Sequence, residues 1–169
     1  MPVPVRSNIE ELAASVREKG VLEPILVRNI APNRYQIISG ERRYRAAMLA
    51  DLDEIPAIEL DVDDKEMLEI ALIENIQRKD LTAFEEAEAL QSLSKSSHYT
   101  HEDLARRLGK SRTSITESLS LADMPEEVKN LCRLADISSK SLLLQIVRQG
   151  DPEKMVALIE KLSRDALLR

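Results

Sequence analysis

Two short runs hold residue types that could do chemistry together: residues 39–47, Ser-Gly-Glu-Arg-Arg-Tyr-Arg-Ala-Ala, and residues 74–78, Glu-Asn-Ile-Gln-Arg. The first places Ser39 and Gly40 where a strand hands over to a helix, with Glu41, Arg42 and Arg43 directly behind them. Backbone N–H groups at a helix start, with guanidinium forks beside them, make a site for phosphate oxygens. The second run sets a carboxylate, Glu74, beside an amide, Asn75. Hard oxygen donors of this kind suit a magnesium ion that bridges phosphates. Together the runs predict a nucleoside triphosphate site. It is not a Walker site, since no G-x-x-x-x-G-K-[ST] occurs in the chain.

A third constellation is basic. Arg106, Arg107, Lys110 and Arg112 fall between Ala105 and Thr113 with no acidic residue among them. The net charge of −6 argues against nucleic-acid binding by the chain as a whole, but a local basic face can still hold a phosphate backbone. The surrounding pattern is that of a helix-turn-helix at about 100–121. Thr100 caps a short helix with Leu104, Ala105 and Leu108 inward, Gly109 ends it, and Ser111 caps a second helix with Ile115, Leu119 and Leu121 inward. Ala105 supplies the small side chain a close helix crossing needs. The second helix would expose Arg112, Thr113, Ser114, Thr116, Glu117 and Ser118, whose short polar groups near its start suit base edges in the major groove. Arg106, Arg107 and Lys110 would meet phosphates. Lys140, in Ile137-Ser-Ser-Lys-Ser-Leu142, is either an ordinary surface lysine or a second DNA contact.

The elements that must position these groups divide into two halves. Ser7 and Glu10 have capping-box spacing ahead of Ile9, Leu12, Ala13 and Val16, and Gly20 is a helix stop. Short strands are expected at Ile25–Val27, at Tyr35–Ile38 after a Pro32-Asn33 turn, and at Ile55–Leu60, with Pro56 marking an edge. Helices are expected at about 41–50 and 63–75. From Thr82 the chain reads as helix throughout: a Thr82/Glu85 capping box, then helices from Pro125 to about Ala135, Ser138 to Arg148, and Pro152 to Leu162. The predicted class is therefore α+β, with a small N-terminal α/β nucleotide-binding domain at 1–80 and an all-α DNA-binding domain at 81–169. One cysteine, Cys132, excludes an intrachain disulfide, and no apolar run approaches the ~18 residues of a membrane span. With no signal-peptide shape, a cytoplasmic, nucleoid-associated protein is expected.

The arginine run, the Glu-Asn run and the helix-turn-helix occur in the order seen in the ParB family of chromosome and plasmid partition proteins, and the chain resembles that family. The matching stretches are Leu12–Arg28, Gly40–Ala47, Glu74–Leu81 and Thr100–Val128. The resemblance implies a CTP-dependent DNA clamp that loads at a palindromic parS site, closes with CTP and magnesium, and self-associates through its N-terminal domain. It implies Gly20, Val21 and Pro24 beside the cytosine, Ser39 to Arg43 and Asn75 on the phosphates, Glu74 and Asn75 on magnesium, and Glu41 and Glu74 as catalytic carboxylates of a weak CTPase. A ParA-type ATPase would be the partner of the full-length protein. The family's Gln-Pro-Arg tripeptide has no counterpart in Met1–Ser7, where Arg6 is the one arginine, and this leaves hydrolysis open. The family's N-terminal tail and C-terminal dimerisation domain have no room in these 169 residues, so the chain reads as the family core.

Two other readings start from the same residues. One is a plain helix-turn-helix transcription or nucleoid-occlusion regulator with altered nucleotide use. The other is an enzyme on a sulfiredoxin-like scaffold, which would need a cysteine near Glu41, whereas Cys132 lies in the helical half. Cys132 reads as a buried apolar residue, Glu85, Glu86 and Glu88 as a solvated face, and His98 and His101 as lacking the further ligands of a metal site.

Overall fold

The computed structural model describes residues 5–167, and side chains from Ile9 onward. It contains two compact units, Met1–Glu74 and Asn75–Arg169.

The first unit opens with α1 (Val5–Lys19), followed by β1 (Ile25–Ala31), β2 (Arg34–Ser39), α2 (Glu41–Leu49), β3 (Ala57–Glu59) and α3 (Asp64–Ile76), which carries the chain past the division at Glu74. The sheet order is β2-β1-β3, with β1 antiparallel to β2 and parallel to β3. β1 outruns the expected Ile25–Val27 because the two-residue connection at Pro32-Asn33 returns the chain directly onto it; Asn33 takes φ 56°, a conformation that asparagine tolerates. β3 is shorter than expected, starting after Pro56, whose ring nitrogen cannot donate to a ladder. Ser7 lies inside α1, two residues past its start, and not at a cap; the side chains of Arg6 and Ser7 lie outside the described residues. The core between α1 and α2 is made of small residues, Ala13, Val16, Ala46, Ala47 and Ala50, with Leu12, Val21 and Ile55 packed on it. Such side chains let two helices approach closely.

The second unit is wholly helical after α3: α4 (Ala83–Ser97), α5 (His101–Leu108), α6 (Arg112–Ala122), α7 (Glu126–Leu134), α8 (Lys140–Val147) and α9 (Pro152–Leu167). Its core joins Phe84 and Ala87 of α4 to Leu121, Val128, Cys132, Leu143, Ile146, Met155 and Ile159. The expected Thr82/Glu85 capping box forms, and the expected Thr100 cap is itself a box with Asp103. Thr82 Oγ1 accepts from Glu85 N while Glu85 accepts from Thr82 N, and Thr100 and Asp103 do the same. α9 runs to Leu167, five residues beyond the expected end at Leu162, because Ser163–Leu167 holds neither glycine nor proline to stop it. No helix among the described residues is long and apolar enough to cross a membrane.

Candidate nucleotide and DNA-binding sites

In the first unit, Gly40 is the N-cap of α2 with φ 102°, and no side chain caps the helix behind it. A methyl group on Gly40 would stand 2.6 Å from Ile25 Cγ2, so only glycine lets β2 turn into α2 this close to β1. The uncapped start leaves first-turn N–H groups for an outside acceptor. The two arginines behind it part company. Arg42 is exposed and has no hydrogen bond or ion pair among the described residues. Arg43 is half-buried and donates from Nη1 to the carbonyls of Pro24 (2.7 Å) and Glu23 (3.0 Å), with the Glu23 carboxylate at 3.7 Å. Arg43 thus binds the Gly20–Pro24 segment to the start of α2, which brings the expected base-lining and phosphate-binding runs side by side. In that segment Gly20 has φ 71° and donates to Val16 O, Val21 packs on the core, and Pro24 is half-buried. Ser39 is 8% exposed.

Glu41 is engaged by Arg45 Nε at 3.1 Å, an exposed i,i+4 pair. It also lines a groove of about 730 Å³ between α2 and one sheet face, with Tyr35, Ile37, Tyr44 and Glu59. Of the expected nucleotide contacts only Glu41 borders this groove, which is therefore a feature apart from the Gly20–Pro24 and Arg42 neighbourhood. Glu74 and Asn75 are adjacent and exposed, and neither side chain has a hydrogen-bond partner among the described residues. No cluster of three or more acidic, His or Cys groups able to hold a metal occurs among those residues. The donor set fits magnesium only in company: one carboxylate and one amide oxygen, with phosphate and water completing an octahedron.

In the second unit the helix-turn-helix is built by local chemistry. Gly109 ends α5 in the left-handed conformation, and Ser111 Oγ accepts from Ser114 N to start α6. Leu104 and Ile115 are fully enclosed and Ala105 is 6% exposed. Arg112 and Thr113 are exposed in the first turn of α6, and neither has a side-chain partner among the described residues. The rest of that face is tied down. Thr116 Oγ1 donates to Arg112 O and lies 2.9 Å from His101 Nδ1 across the two helices. Ser118 is a correction: it is 2% exposed, not on the outer face, and it accepts from Lys140 Nζ at 2.9 Å. Lys140 also donates to Ser114 Oγ at 3.3 Å, so the lysine braces α6 from α8. Arg148 reaches Glu117 at 3.5 Å from the other end of α8.

The outer basic residues differ in freedom. Arg106 is exposed, and Arg107 is stacked over the Tyr99 ring at 4.3 Å. Lys110 is ion-paired with Glu86 at 2.6 Å, so Glu86 is a partnered group and not part of a solvated acidic face. The expectation that Leu119 points inward alongside Ile115 is met only partly, since Leu119 is half-buried. Lys129 escaped notice in the sequence: it is 5% exposed and donates from Nζ to Ala122 O (3.0 Å), the last residue of α6. A lysine seven residues past a helix end offers no local signal for this. Asp103 has its carboxyl held below the ordinary range, first by the Thr100 backbone N–H and then by the Thr100 hydroxyl. Burial pushes the Cys132 thiol up.

The geometry is that of an α+β protein whose helical half presents a helix-turn-helix. Residues 4–76 match the ParB N-terminal domain, and residues 79–167 match the ParB HTH domain. The chain belongs to the ParB family. It is 39% identical over 160 residues to a nucleoid occlusion protein of Listeria monocytogenes, covering 95% of this chain and 56% of that one. It superposes at a TM-score of 0.70 and 32% identity on C-terminally truncated ParB of Caulobacter crescentus complexed to the centromeric parS site, covering 95% of this chain and 91% of that chain. The same truncated protein complexed with CTP-gamma-S aligns at 37% identity with a TM-score of 0.41, covering 95% of this chain and 88% of that one. The chain spans about half the length of the curated relatives it matches.

Proposed function

We propose that this chain is the nucleotide- and DNA-binding core of a partition protein: it reads a parS-like palindrome through α6 and binds CTP with magnesium across the Gly20–Pro24 segment, the start of α2 and the Glu74-Asn75 pair. The observation that carries the DNA half is the superposition on a chain complexed to parS, joined with the exposed Arg112 and Thr113 at the start of a doubly capped helix-turn-helix. Arg112 and Thr113 read base edges, and Arg106 and Arg107 hold phosphates. The nucleotide half is supported by the uncapped α2 start, the unpaired Arg42 and the Arg43 bridge. CTP is the nucleotide implied by the family resemblance. When bound, magnesium would supply charge neutralisation between phosphates; Glu74 and Asn75 would be its protein ligands. Nucleotide then promotes self-association of two N-terminal domains seated on the two half-sites. A nucleoid-occlusion role on the same scaffold is favoured by the Listeria relative and differs in which DNA site is read.

The deciding experiment is calorimetric titration of CTP, with and without magnesium, into the chain and its Arg42→Ala variant. A charge-assisted hydrogen bond contributes roughly 1.5–3 kcal/mol, so the variant should lose about tenfold or more in affinity. Unchanged affinity rules the site out. Light scattering of the protein alone, with CTP, and with CTP and a duplex bearing parS should show association only in the last; a tight dimer without either ligand contradicts the clamp.

A further inference from the structure

Arg28, on β1, has no part in the nucleotide site set out above, yet its guanidinium is the most heavily engaged in the first unit. Nε and Nη2 both donate to Gln36 Oε1 on β2, at 2.9 and 2.7 Å. Nη2 also donates to Asp64 Oδ1 at 2.6 Å, and Nη1 lies 3.5 Å from the carbonyl of Val62. The Arg28 side chain is 15% exposed, whereas Asp64 is 93% exposed. One buried fork therefore joins the sheet to the segment that enters α3 and to the first residue of α3 itself. Asp63 and Glu66 complete that entry with a reciprocal capping box, at 2.9 and 2.8 Å.

Apolar packing along α3 is partial: Met67, Ile70, Ala71, Leu72 and Ile73 are half-buried. The only fully buried side chain of α3 is Ile76, at the opposite end, and Leu68 in its middle is 55% exposed. Polar bonds from one side chain, Arg28, thus tie the sheet to the entry of α3, beside the partial apolar packing of the helix.

Direction matters because of what the helix carries. Glu74 lies ten residues beyond Asp64, which is about 15 Å of helix, so a tilt of about 10° at the start displaces it by roughly 2–3 Å. Magnesium demands ligands at about 2.0–2.1 Å in near-ideal octahedral geometry. A swing of that size would take Glu74 out of reach of a magnesium ion held there, and would leave the Arg42 side chain and the N–H groups at the start of α2 where they are.

We propose that Arg28 is a positioning residue for the metal half of the nucleotide site: it sets the angle of α3 and, through it, the placement of Glu74. This rests on the nucleotide reading given above. The alternative is that Arg28 is a cross-strand brace whose loss weakens the fold evenly.

The two part in a double-mutant cycle. CTP affinity is measured in excess magnesium and in EDTA for the wild-type chain, Arg28→Met, Arg28→Lys, Glu74→Ala, and Arg28→Met combined with Glu74→Ala. In Arg28→Met the gain due to magnesium should fall by about tenfold, while affinity in EDTA stays within about twofold. In the double variant the two losses should be less than additive, because the arginine acts through the helix that carries that carboxylate. Arg28→Lys, which can satisfy one acceptor but not the fork, should fall between. Equal losses with and without magnesium, or additive losses in the double variant, overturn the inference. If Arg28→Met fails to fold, Asp64→Ala breaks only the α3 end of the fork at an exposed residue, and a normal magnesium gain in it overturns the inference as well. A wild-type chain that binds no CTP removes the nucleotide reading itself and this inference with it; a wild-type chain that binds with magnesium beside unaffected Arg28 and Asp64 variants removes the inference alone.

Discussion

Gly40→Ala tests the local geometry on which the proposed phosphate site depends, and the structure gives its size. The residue has φ 102°, and a Cβ there meets Ile25 Cγ2 at 2.6 Å and Ile25 Cβ at 3.0 Å. A non-glycine residue held at such a φ costs about 1–3 kcal/mol, and forcing an extra methyl into a filled space costs about 1–3 more. The expected loss is about 2–6 kcal/mol, against a total stability of about 4–11 kcal/mol for a unit of this length. The assay is thermal unfolding followed by circular dichroism, where even the lower bound corresponds to a fall of about 8 °C or more. The two components separate on the Ile25→Ala background, which removes Cγ2. There the clash with Cγ2 is removed, the tighter-than-usual approach of Ile25 Cβ at 3.0 Å stays and the dihedral part persists, so Gly40→Ala should cost up to about 1–3 kcal/mol less than on the wild-type background. An unchanged melting temperature in Gly40→Ala would refute both the positive φ and the close approach. A single-background loss with no coupling to Ile25 would refute the close approach alone.

Three other outcomes follow from the helical unit. Lys129→Met keeps the apolar stem but strips the cap from Ala122 O, and should cost about 1–3 kcal/mol in urea unfolding; no loss would mean that water replaces the ammonium. Cys132 has no exposed surface and its thiol is raised by burial, so a thiol reagent at mildly alkaline pH should label it only as fast as the unit opens; labelling at the rate of a free thiol would contradict the packing. Asp103 has a folded pKa below its unfolded value, so its contribution is present above the ordinary carboxylate value of about 3.9 and is lost as pH falls through the lower folded one. Acid unfolding of Asp103→Asn should accordingly be less steep than that of the wild type in that window, and identical curves would dismiss the bond to Thr100.

What could be read from the sequence was what short-range rules govern. Thr82, Thr100, Gly109 and Ser111 fall where caps and stops were expected, because each cap is decided by residues within four positions of it. The strands were placed correctly and their ends were not, since pairing partners settle where a ladder stops: β1 continues to Ala31 only because the hairpin brings Arg34 opposite it. Side-chain partners were hidden for the same reason on a larger scale. Lys140 and Ser118 are 22 residues apart, Lys110 and Glu86 are 24 apart, and Arg28 and Asp64 are 36 apart. No periodicity links such positions.

The cost of that blindness falls unevenly on charged residues. A run of arginines predicts a phosphate site by type, but type does not say which guanidinium is still free once the chain has folded. Arg42 and Arg43 are neighbours with the same chemistry, yet about 100° of helix separates them. That turn sends Arg43 back onto the carbonyls of Glu23 and Pro24 and leaves Arg42 in solvent. The same sorting runs through the basic cluster of the helix-turn-helix, where Lys110 neutralises Glu86 and Arg112 does not meet a partner among the described residues. Ligand-facing and fold-facing charges are therefore interleaved in one motif. A substitution at Arg43 should disturb the Gly20–Pro24 segment it holds, and one at Arg42 should leave that segment in place and weaken only the proposed phosphate contact.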